Sequence, residues 1–343
     1  MSYTIRRTLT LFVILFFTAG LLFAGGQAEE QEGGMEQQEE SAEQQEGAGE
    51  SEMAEAPKET VVRFAEVGWT DIESTTAATR IVLEAMGYET TSNTVSVPVV
   101  YEGLKAGDVD VFLGNWMPSM ASISNEYFDD GSVEQVAVNL EGAKYTLAVP
   151  SYMAEKGLTS FSDIQEFGEE LNYQIHGIEA GNDGNQLIWS MIEEDAFGLG
   201  DFEVVASSEA GMLAEVRGRA PQEKPIVFLG WAPHPMNTYF DLTYLSGGDD
   251  YFGPNYGAAT VYTNARAGFL DNHPNLRSFF ENLKFTLDME NEIMSAIDEG
   301  ADARDAALEW LQENPDVLDE WLDGVHAMNG EPAAPVVKEE LGA

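Results

Sequence analysis

The chain alternates strand-like and helix-like segments in a regular order, and this order limits the folds that it can adopt. Residues 60–67 are rich in β-branched side chains, and residues 73–86 carry apolar residues at helical spacing. A second strand is expected at 95–97, and a helix at 100–106 precedes a third strand at 109–113. Strands that are joined by helices over such short distances run parallel, so this order predicts a parallel sheet with helical crossovers.

The same pattern starts again in the second half of the chain. Strands are predicted at 145–150, 174–178, 202–206, 226–229 and 259–263, with helices at 164–171, 185–194 and 209–217. Two such units in series, followed by a returning segment, predict two lobes with a ligand cleft between them. We assign 58–143 and 246–330 to the first lobe and 144–245 to the second.

The C-terminal part carries helical patterns. Helices are predicted at about 274–287, 290–299, 303–313 and 316–328. Trp310 and Trp321 lie on these patterns and, like Trp189 in an earlier helix, are expected in the hydrophobic core. The tail at 331–343 is expected to be frayed.

The N-terminal residues are not expected to belong to the folded part. Residues 1–28 combine Arg6 and Arg7 with a mostly apolar run at 9–24, which is typical of an export signal and is short for a membrane span. An uncleaved anchor is the alternative, and both interpretations place the folded part outside the cytoplasm, in the periplasm or an equivalent compartment. Residues 29–57 contain eleven Glu and no Lys or Arg, so we expect a disordered acidic linker there.

The composition excludes several classes of site and partner. Because the chain has no cysteine, it has no disulfide, thiolate metal site, cysteine nucleophile or lipidated cysteine. Its 16 Lys and Arg against 61 Asp and Glu give a formal net charge of −45, which argues against nucleic acids and anionic lipid surfaces. The acidity either attracts a cation or reflects adaptation to salt, and its spread along the chain favours adaptation. The histidines lack metal-binding spacing and Asp249 and Asp250 are expected in a solvated turn, so we predict no metal and no cofactor.

Three tryptophans lie at the ends of predicted strands, where the ligands of open α/β sheets bind. They are Trp69, Trp116 and Trp231, and the last two follow the same phrase, Phe-Leu-Gly, at 112–114 and 228–230. Several indoles that converge on one cleft would form a box of aromatic faces. Such a box suits a quaternary ammonium group, which carries a positive charge but has no N–H to donate.

Short motifs distributed over residues 60–330 carry the most specific signal in the sequence. They are Gly-Trp-Thr-Asp at 68–71, Phe-Leu-Gly-Asn-Trp-Met-Pro at 112–118, Ala-Lys-Tyr-Thr-Leu-Ala-Val-Pro at 143–150, Gly-Ile-Glu-Ala-Gly-Asn-Asp-Gly-Asn at 177–185, Phe-Leu-Gly-Trp at 228–231, Pro-His-Pro-Met-Asn at 233–237, Phe-Gly-Pro-Asn-Tyr at 252–256 and Val-Tyr-Thr-Asn at 261–264. Together they resemble the substrate-binding proteins of glycine betaine and choline ABC importers, most closely the periplasmic choline-binding branch. The missing lipobox cysteine departs from the pattern, and it concerns anchoring rather than the ligand.

This resemblance implies a two-lobed α/β periplasmic binding protein (type II-like), in which each lobe is a mainly parallel sheet flanked by helices. It also implies that the trimethylammonium group of a ligand lies in an aromatic box in the interlobe cleft. Transferred position by position, the ligand-binding residues are Trp69, Asp71, Trp116, Tyr145, Asn182 and Trp231. Asp71 would place a negative charge beside the cation, and Asn182 would hydrogen-bond the hydroxyl group of the ligand. No catalytic residue is implied.

Each of these residues has a structural alternative. For the four aromatic residues the alternative is ordinary packing in the hydrophobic core, as is usual for large apolar side chains. Asp71 and Asn182 lie at predicted helix starts, where both residue types often cap the helix. His234 is a possible donor to a betaine carboxylate, but its place between two prolines favours a turn residue without ligand contact.

The sequence therefore predicts an exported solute-binding protein that delivers choline or a related quaternary amine to an ABC permease, as a monomer and without enzymatic activity. The alternative within this class is a glycine betaine or proline betaine receptor for osmoprotectant uptake. Asp71 counts against it, because an aspartate would repel the carboxylate of a betaine. A sugar-processing enzyme is disfavoured, since the sequence contains none of the nucleophile, P-loop or dinucleotide motifs. A sensor that presents its ligand to a receptor is a further alternative that the sequence does not separate from transport.

Overall fold

A computed structural model describes residues 61–343 of the chain. The predicted export signal at 1–28 and the acidic linker at 29–57 lie outside the described residues. The strands are β1 Val61–Glu66, β2 Glu89–Thr94, β3 Val111–Met117, β4 Val133–Pro150, β5 Gln174–His176, β6 Glu203–Val205, β7 Phe228–Ala232, β8 Leu242–Tyr244 and β9 Ala258–Arg266.

The helices connect these strands and then form the C-terminal part. They are α1 Thr70–Ala85, α2 Val97–Ala106, α3 Ala121–Asp129, α4 Ser151–Glu155, α5 Asp183–Glu193, α6 Glu209–Arg219, α7 Met236–Tyr239, α8 Asp249–Phe252, α9 Pro254–Gly257, α10 Pro274–Asn282, α11 Leu287–Asp298, α12 Ala303–Glu313, α13 Asp316–Trp321 and α14 Ala333–Leu341. Between 61 and 343 no helix has both the length and the apolar character that crossing a membrane requires.

All nine strands of the described part belong to one mixed sheet. Their order is β2-β1-β3-β9-β4-β7-β5-β6, and β8 pairs with β4. At one end β1 runs parallel to β2 and β3, and at the other β5 runs parallel to β6 and β7. The central pairs, which involve β4 and β9, are antiparallel. The two predicted parallel units are thus confirmed, and two antiparallel strands join them.

Strand β4 connects the two ends of the sheet and is 18 residues long. Its first part pairs with β9, and its last part pairs with β7 and β8. The β4–β9 register shifts three times between Gln135 and Ala143, and such bulges bend a strand. The sequence predicts only the last part of β4, because Asn139, Glu141 and Gly142 interrupt the apolar pattern while backbone pairing continues.

The second strand lies earlier than the sequence predicts. A strand is expected at 95–97, but β2 ends at Thr94 and Val97 is the first residue of α2. Strand β2 is at the edge of the sheet, and its polar sequence Glu-Thr-Thr-Ser-Asn-Thr has no apolar alternation. Val97 is buried by the helix, and Pro98 fits the first helical turn because that turn needs no N–H donor.

The C-terminal tail is helical, and the prediction that it is frayed is wrong. Helix α14 buries Ala333 and Val337 and packs against α1, α12 and α13. Position near a chain end predicts fraying only where the segment has nothing to bury. Here the Ala and Val side chains supply an apolar face that the neighbouring helices cover.

Three smaller predictions also differ from the structure. The helix expected at 164–171 is a 3₁₀ helix at Phe161–Phe167, and the helix expected at 316–328 ends at Trp321. Trp321 is fully buried as predicted. Trp189 is 38% exposed and is not a core residue, because α5 turns the side of Ile188, rather than that of Trp189, towards the core.

Candidate ligand-binding site

Four aromatic side chains from distant parts of the sequence line one cavity of about 270 Å³. They are Trp69, Trp116, Tyr145 and Trp231. None of them is more than 6% exposed. Asp71, Ile178 and Asp183 complete the wall.

Tyr145 stands between two of the indoles. In the antiparallel β4–β7 pair it lies directly opposite Trp231, so both side chains point to the same face of the sheet. The centroid of its ring is 6.1 Å from that of Trp116 and 6.2 Å from that of Trp231, at interplanar angles of 64° and 79°. The three rings therefore form adjoining, steeply inclined walls around the cavity.

Two of the tryptophans each lie one residue before the end of a strand. Trp116 precedes the last residue of β3, and Trp231 precedes the last residue of β7. The sequence predicts both strands to end earlier, because Asn115 and Gly230 interrupt the apolar runs. Both residues still pair with a neighbouring strand, so both strands extend to the indoles, although the β3–β9 register shifts between Phe112 and Asn115. The carboxyl ends of the two strands thereby bring both rings to the cavity.

Trp69 belongs to the turn between β1 and α1. Gly68 before it has a φ of +75°, a left-handed conformation that glycine adopts without strain. The indole Nε1 of Trp69 donates a hydrogen bond to Oε1 of Glu179 over 3.0 Å. Burial raises the pKa of Glu179 to about 7, although the indole N–H acts in the opposite direction. The contact connects the start of α1 with the segment that precedes α5.

Asp71 is the second residue of α1 and is 2% exposed. Its Oδ2 accepts a hydrogen bond from Nε1 of Trp116 over 3.2 Å, and its Oδ1 is buried without a hydrogen-bond partner in the described part of the chain. Burial, and to a smaller extent the carboxylate of Glu209, raises the pKa of Asp71 to about 7. Trp69 and not Asp71 occupies the cap position of α1. The structure thus presents Asp71 as a wall residue with an unsatisfied acceptor.

Asn182 caps α5 and does not belong to the cavity wall. Its Oδ1 accepts hydrogen bonds from the backbone N–H of Asn185 and from the hydroxyl of Tyr145, each over 3.0 Å. Its Nδ2 donates to Oδ1 of Asp183, also over 3.0 Å. The capping alternative is confirmed, whereas the contact with a ligand hydroxyl stays a prediction.

Asp183, next to Asn182, is a wall residue that the sequence reasoning missed. It is 0% exposed, and its Oδ2 has no hydrogen-bond partner among residues 61–343. Burial raises its pKa to about 6, which the nearby Ser119 hydroxyl and the N–H groups at the start of α5 partly oppose. The available signal was its position directly after Asn182, inside the 177–185 motif.

His234 is buried behind Trp231 and does not line the cavity. Its Nδ1 accepts a hydrogen bond from the backbone N–H of Met236 over 3.0 Å, which leaves the ring proton on Nε2. Nε2 lies 3.1 Å from Oε1 of Glu209, and the imidazole packs edge-on against the indole of Trp231. This arrangement agrees with the interpretation of His234 as a turn residue, because its ring packs against Trp231 on the side away from the cavity.

The charge of the wall has one sign. Two of its seven residues, Asp71 and Asp183, are acidic and none is basic. No group of acidic or histidine side chains within 61–343 is arranged to hold a metal ion, and Asp249 and Asp250 are exposed at the start of α8. Aromatic faces and buried carboxylates both attract positive charge, so the cavity can hold a compact organic cation.

Comparison with known proteins places this site in a family. The sequence profile described as "Substrate binding domain of ABC-type glycine betaine transport system" (OpuAC) matches residues 60–313. A solved ABC-transporter choline-binding protein in complex with choline is 54% identical, with coverage of 83% of this chain and 99% of that chain and a TM-score of 0.82. A choline-binding protein in an unliganded semi-closed conformation is 53% identical, with the same coverage and a TM-score of 0.76.

A curated relative lies on the glycine betaine side of the family. The glycine betaine/carnitine transport binding protein GbuC of Listeria monocytogenes serotype 1/2a (strain 10403S) is 29% identical over 174 residues, which are 51% of this chain and 57% of that protein. The profile match covers well over half of the sequence, and the similarity to the solved proteins extends over almost their full length. The chain belongs to the family of substrate-binding domains of ABC-type glycine betaine transport systems.

Proposed function

We propose that this chain is the extracytoplasmic solute-binding protein of an ABC importer and that it delivers choline, or a closely related quaternary ammonium cation, to a membrane permease. The observation that carries the proposal is the cavity wall, which combines four aromatic rings and two buried carboxylates with no basic residue. Membership of the family supports the transport role. Similarity to proteins described as choline-binding supports the choice of ligand.

The wall fits the chemistry of a quaternary ammonium group. Such a group has no N–H, so a ring of hydrogen-bond acceptors cannot hold it, whereas aromatic faces attract its positive charge. Each desolvated cation–π contact contributes about 2 kcal/mol. Four rings and a carboxylate then supply enough to reach micromolar affinity, about −8 kcal/mol, after the cost of association.

Glycine betaine is the alternative ligand, and the family description favours it. A betaine carries a carboxylate besides its ammonium group, and a carboxylate needs donors such as arginine or backbone N–H groups. The side chains of the wall offer Asp71 and Asp183 instead, and His234 lies behind the wall with both ring nitrogens engaged. These residues favour a cation over a zwitterion.

The protein would bind its ligand between two lobes. We assign 58–143 and 246–330 to one lobe and 144–245 to the other, with β4 and β9 passing between them. The protein acts as a monomer without enzymatic activity or cofactor, and it closes over its ligand before it docks on the permease.

A sensor that hands the ligand to a receptor would use the same cavity. Growth on choline in a strain that lacks the permease separates transport from sensing.

Calorimetric titration of the purified, ligand-free protein with choline and with glycine betaine tests the proposal. We expect micromolar choline affinity, betaine affinity at least about tenfold weaker, and only a modest change between low and high salt because the buried pairs are poorly screened. Trp116→Ala should abolish measurable choline binding. The matched control is Trp189→Ala, since Trp189 is a partly exposed tryptophan outside the cavity.

Three outcomes separate the hypotheses. Tight betaine binding with weak choline binding would assign the protein to osmoprotectant uptake. If Trp116→Ala and Trp189→Ala change choline affinity equally, the cavity is not the ligand-binding site. An absence of binding for both ligands would overturn the proposed function altogether.

A further inference from the structure

Strand β3 contains a β-bulge directly before Trp116. Phe112 lies opposite Asn264 in the antiparallel β3–β9 pair. Three residues later, Asn115 lies opposite Tyr262, which is only two residues back along β9. Strand β3 therefore has one extra residue at this point, and an extra residue in one strand of an antiparallel pair defines a bulge.

The bulge decides which face of the sheet carries the indole. Side chains alternate between the two faces of a strand, so Phe112 and Trp116, four residues apart, would share a face in a regular strand. Residues that lie opposite each other on neighbouring strands also share a face. The partners of these two residues on β9 are Asn264 and Val261, which are three residues apart and therefore lie on opposite faces. Without the extra residue the indole would point away from the cavity that it lines.

The side chain of Asn139 holds the centre of this bulge. Asn139 belongs to β4, on the other side of β9, and is 1% exposed. Its Nδ2 donates to the backbone oxygen of Leu113 over 2.8 Å and to Oγ1 of Thr263 on β9 over 3.2 Å. A bulge disrupts the ladder locally, and a buried carbonyl without a donor is costly. The amide therefore satisfies a carbonyl at the point where the β3–β9 ladder is interrupted.

Asn139 is itself the extra residue of a bulge in β4. Val138 and Leu140 lie opposite adjacent residues of β9, so Asn139 between them has no partner in that ladder. Its backbone oxygen accepts instead from the N–H of Phe285 over 2.7 Å. The bulges of β3 and β4 thus lie at nearby positions along β9, and the amide connects them across that strand.

The bulge also sets how closely α1 approaches β3. A Cβ atom on Gly114 would lie 2.7 Å from Cδ1 of Ile72, which is closer than real Cβ contacts. Ile72 follows Asp71, whose Oδ2 accepts the hydrogen bond from Nε1 of Trp116. The bulge therefore fixes the direction of the indole and also the place of the carboxylate to which the indole donates.

Other buried side chains hold the two ends of the bulge. The hydroxyl of Tyr101 donates to Oδ1 of Asn115 over 3.0 Å and accepts from Nδ2 of Asn264 over 3.1 Å. Asn115 ends the bulge, and Asn264 is the partner of the residue that begins it. Because these contacts do not involve Asn139, β3 stays attached to β9 when the Asn139 amide is removed.

We infer that Asn139 is a positioning residue of the ligand site: its amide holds the β3 bulge that turns the indole of Trp116 into the cavity and towards Asp71. The expected effect on affinity rests on the proposed function, because it assumes that Trp116 contacts a cation. The inference extends that function to a residue of β4 that does not line the cavity.

The variant Asn139→Leu tests this role, since it replaces the amide by an apolar side chain with the same branching. We expect choline affinity to fall about tenfold or more in calorimetric titrations of the full chain, because a displaced ring loses its contact with the cation. NMR spectra of the ligand-free protein with ¹⁵N-labelled tryptophan report the position of the ring directly. The indole N–H resonance of Trp116, assigned with Trp116→Phe, should shift or broaden.

Two further variants separate positioning from general destabilisation. Asn139→Ala removes the same amide without adding bulk and carries the same expectation. The control is Asn282→Leu at the end of α10, where Nδ2 of Asn282 likewise donates to a backbone oxygen, that of Asp323, over 2.9 Å. Its effect on thermal unfolding measures the general cost of losing such a bond. It should leave choline affinity and the Trp116 resonance unchanged.

The outcomes distinguish this inference from the proposed function. If the wild-type protein does not bind choline, the proposed function fails, and the indole resonance still tests the role of Asn139. A Trp116 resonance that stays in place in the folded Asn139 variants would overturn the inference, even if affinity falls. A failure of both variants to fold would also overturn it, because the amide would then be required for the fold rather than for the position of one ring.

Discussion

The cavity has two sides that come from different parts of the chain, and both combine aromatic rings with one buried carboxylate. The α1 side consists of Trp69, Asp71 and Trp116, and the α5 side consists of Tyr145, Ile178, Asp183 and Trp231. Each side places a carboxylate in the first turn of a helix and a tryptophan one residue before the end of a strand. In both carboxylates one oxygen is hydrogen-bonded, and the other is buried without a hydrogen-bond partner among residues 61–343.

The two sides differ in what holds the carboxylate. Asp71 is held by the indole of Trp116, which is itself a wall of the cavity, whereas Asp183 is held by the amide of Asn182, which lies behind the wall. On the α1 side, charge and aromatic wall are therefore coupled in one pair of residues. On the α5 side Trp231 makes no hydrogen bond to the carboxylate, and the ring of Tyr145 is coupled to it only through the hydroxyl that donates to Asn182, so a change at Trp231 leaves the carboxylate in place.

Contacts between the two sides hold the cavity closed. Oε1 of Glu209 accepts from the hydroxyl of Thr70 over 2.5 Å, and Oε2 accepts from the backbone N–H of Thr70 over 3.2 Å. The same carboxylate bonds to His234, and Trp69 donates to Glu179. These bonds join the start of α1 to the segments around α5, α6 and β7, which agrees with the low exposure of every aromatic wall residue.

The largest effect is expected when the coupled pair is broken. Trp116→Ala removes one aromatic face and also the indole N–H that donates to Oδ2 of Asp71, so we expect choline affinity to fall by more than about 100-fold. Trp231→Ala removes an aromatic face alone and should cost about tenfold. Titration calorimetry on both variants measures the difference. Equal losses would show that the two sides are not organised differently, and circular dichroism spectra identify any variant that fails to fold.

Proton binding by the two carboxylates should make the affinity depend on pH. In the ligand-free protein the pKa values of Asp71 and Asp183 are about 7 and about 6. A cation favours the ionised forms, so affinity is highest above both values and falls as the pH decreases through them. We expect choline affinity to fall by about tenfold or more between about pH 8 and pH 5.5, since one pKa unit corresponds to 1.36 kcal/mol. Calorimetric titration at stepped pH measures this change.

The stability of the ligand-free protein should change with pH in the opposite direction. Both folded-state pKa values are raised above the ordinary value of 3.8, so the folded state binds more protons than the unfolded state between these values. The stability is fully present below 3.8, decreases as the pH rises to about 6 to 7, and is constant above that. The other titratable groups that face these carboxylates are Glu179, Glu209, Glu290, Tyr101 and Tyr145. The variants Asp71→Asn and Asp183→Asn show which carboxylate causes which part of the pH dependence of stability. A choline affinity that does not change with pH in the wild-type protein would contradict the electrostatic account of both sides.

A smaller effect is expected when the contacts between the sides are weakened. Glu209→Gln replaces a charged acceptor of Thr70 and His234 by a neutral one, so we expect choline affinity to fall about three- to tenfold at pH 8. It also removes a negative charge near Asp71, which should lower the pKa of Asp71 and move the pH dependence to lower pH.

The control for this change is Glu215→Gln on the same helix, α6. Glu215 is 53% exposed and bonds to Arg219 rather than to either side of the cavity. Glu215→Gln should leave both the choline affinity and its pH dependence unchanged. If the two variants behave alike, the bonds of Glu209 do not contribute to closure.

The smallest effect is expected from Tyr145→Phe. This change keeps the central ring of the cavity and removes the hydroxyl that donates to Asn182. We expect an affinity within about threefold of the wild type and a loss of about 1 kcal/mol in the free energy of unfolding, which chemical denaturation measures. A loss comparable to that of Trp116→Ala would show that the polar network, and not the aromatic face, dominates the α5 side.

The residues that the sequence identified most securely are those with a signal in their own segment. Trp116 and Trp231 follow apolar runs that must become strands, and strand ends meet at one edge of an α/β sheet, so their convergence could be expected. Tyr145 and Asp71 were identified through motifs of the same family. The structure brings all of them, with Trp69, to one cavity.

The sequence is least informative where a residue depends on partners far away in the chain. The contact of Asn182 with a ligand stays a prediction, and only the structure shows that Tyr145, 37 residues away, donates to the oxygen with which Asn182 caps α5. The C-terminal helix α14 is stable because α1, more than 200 residues earlier, helps to cover its apolar face. Local composition contains neither fact.

The sequence by itself determined the class of fold and three tryptophans of the cavity, because strand and helix patterns and residue types are local properties. Its family motifs added Tyr145 and Asp71 and supported the positive charge of the expected ligand. Only the tertiary structure decided which carboxylate oxygens remain free. That outcome depends on donors from other segments: Trp116, which lies 45 residues from Asp71, donates to one of its oxygens, and the other has no hydrogen-bond partner in the described part of the chain. Whether a buried polar atom is satisfied depends on which donors the folded chain brings within about 3 Å of it.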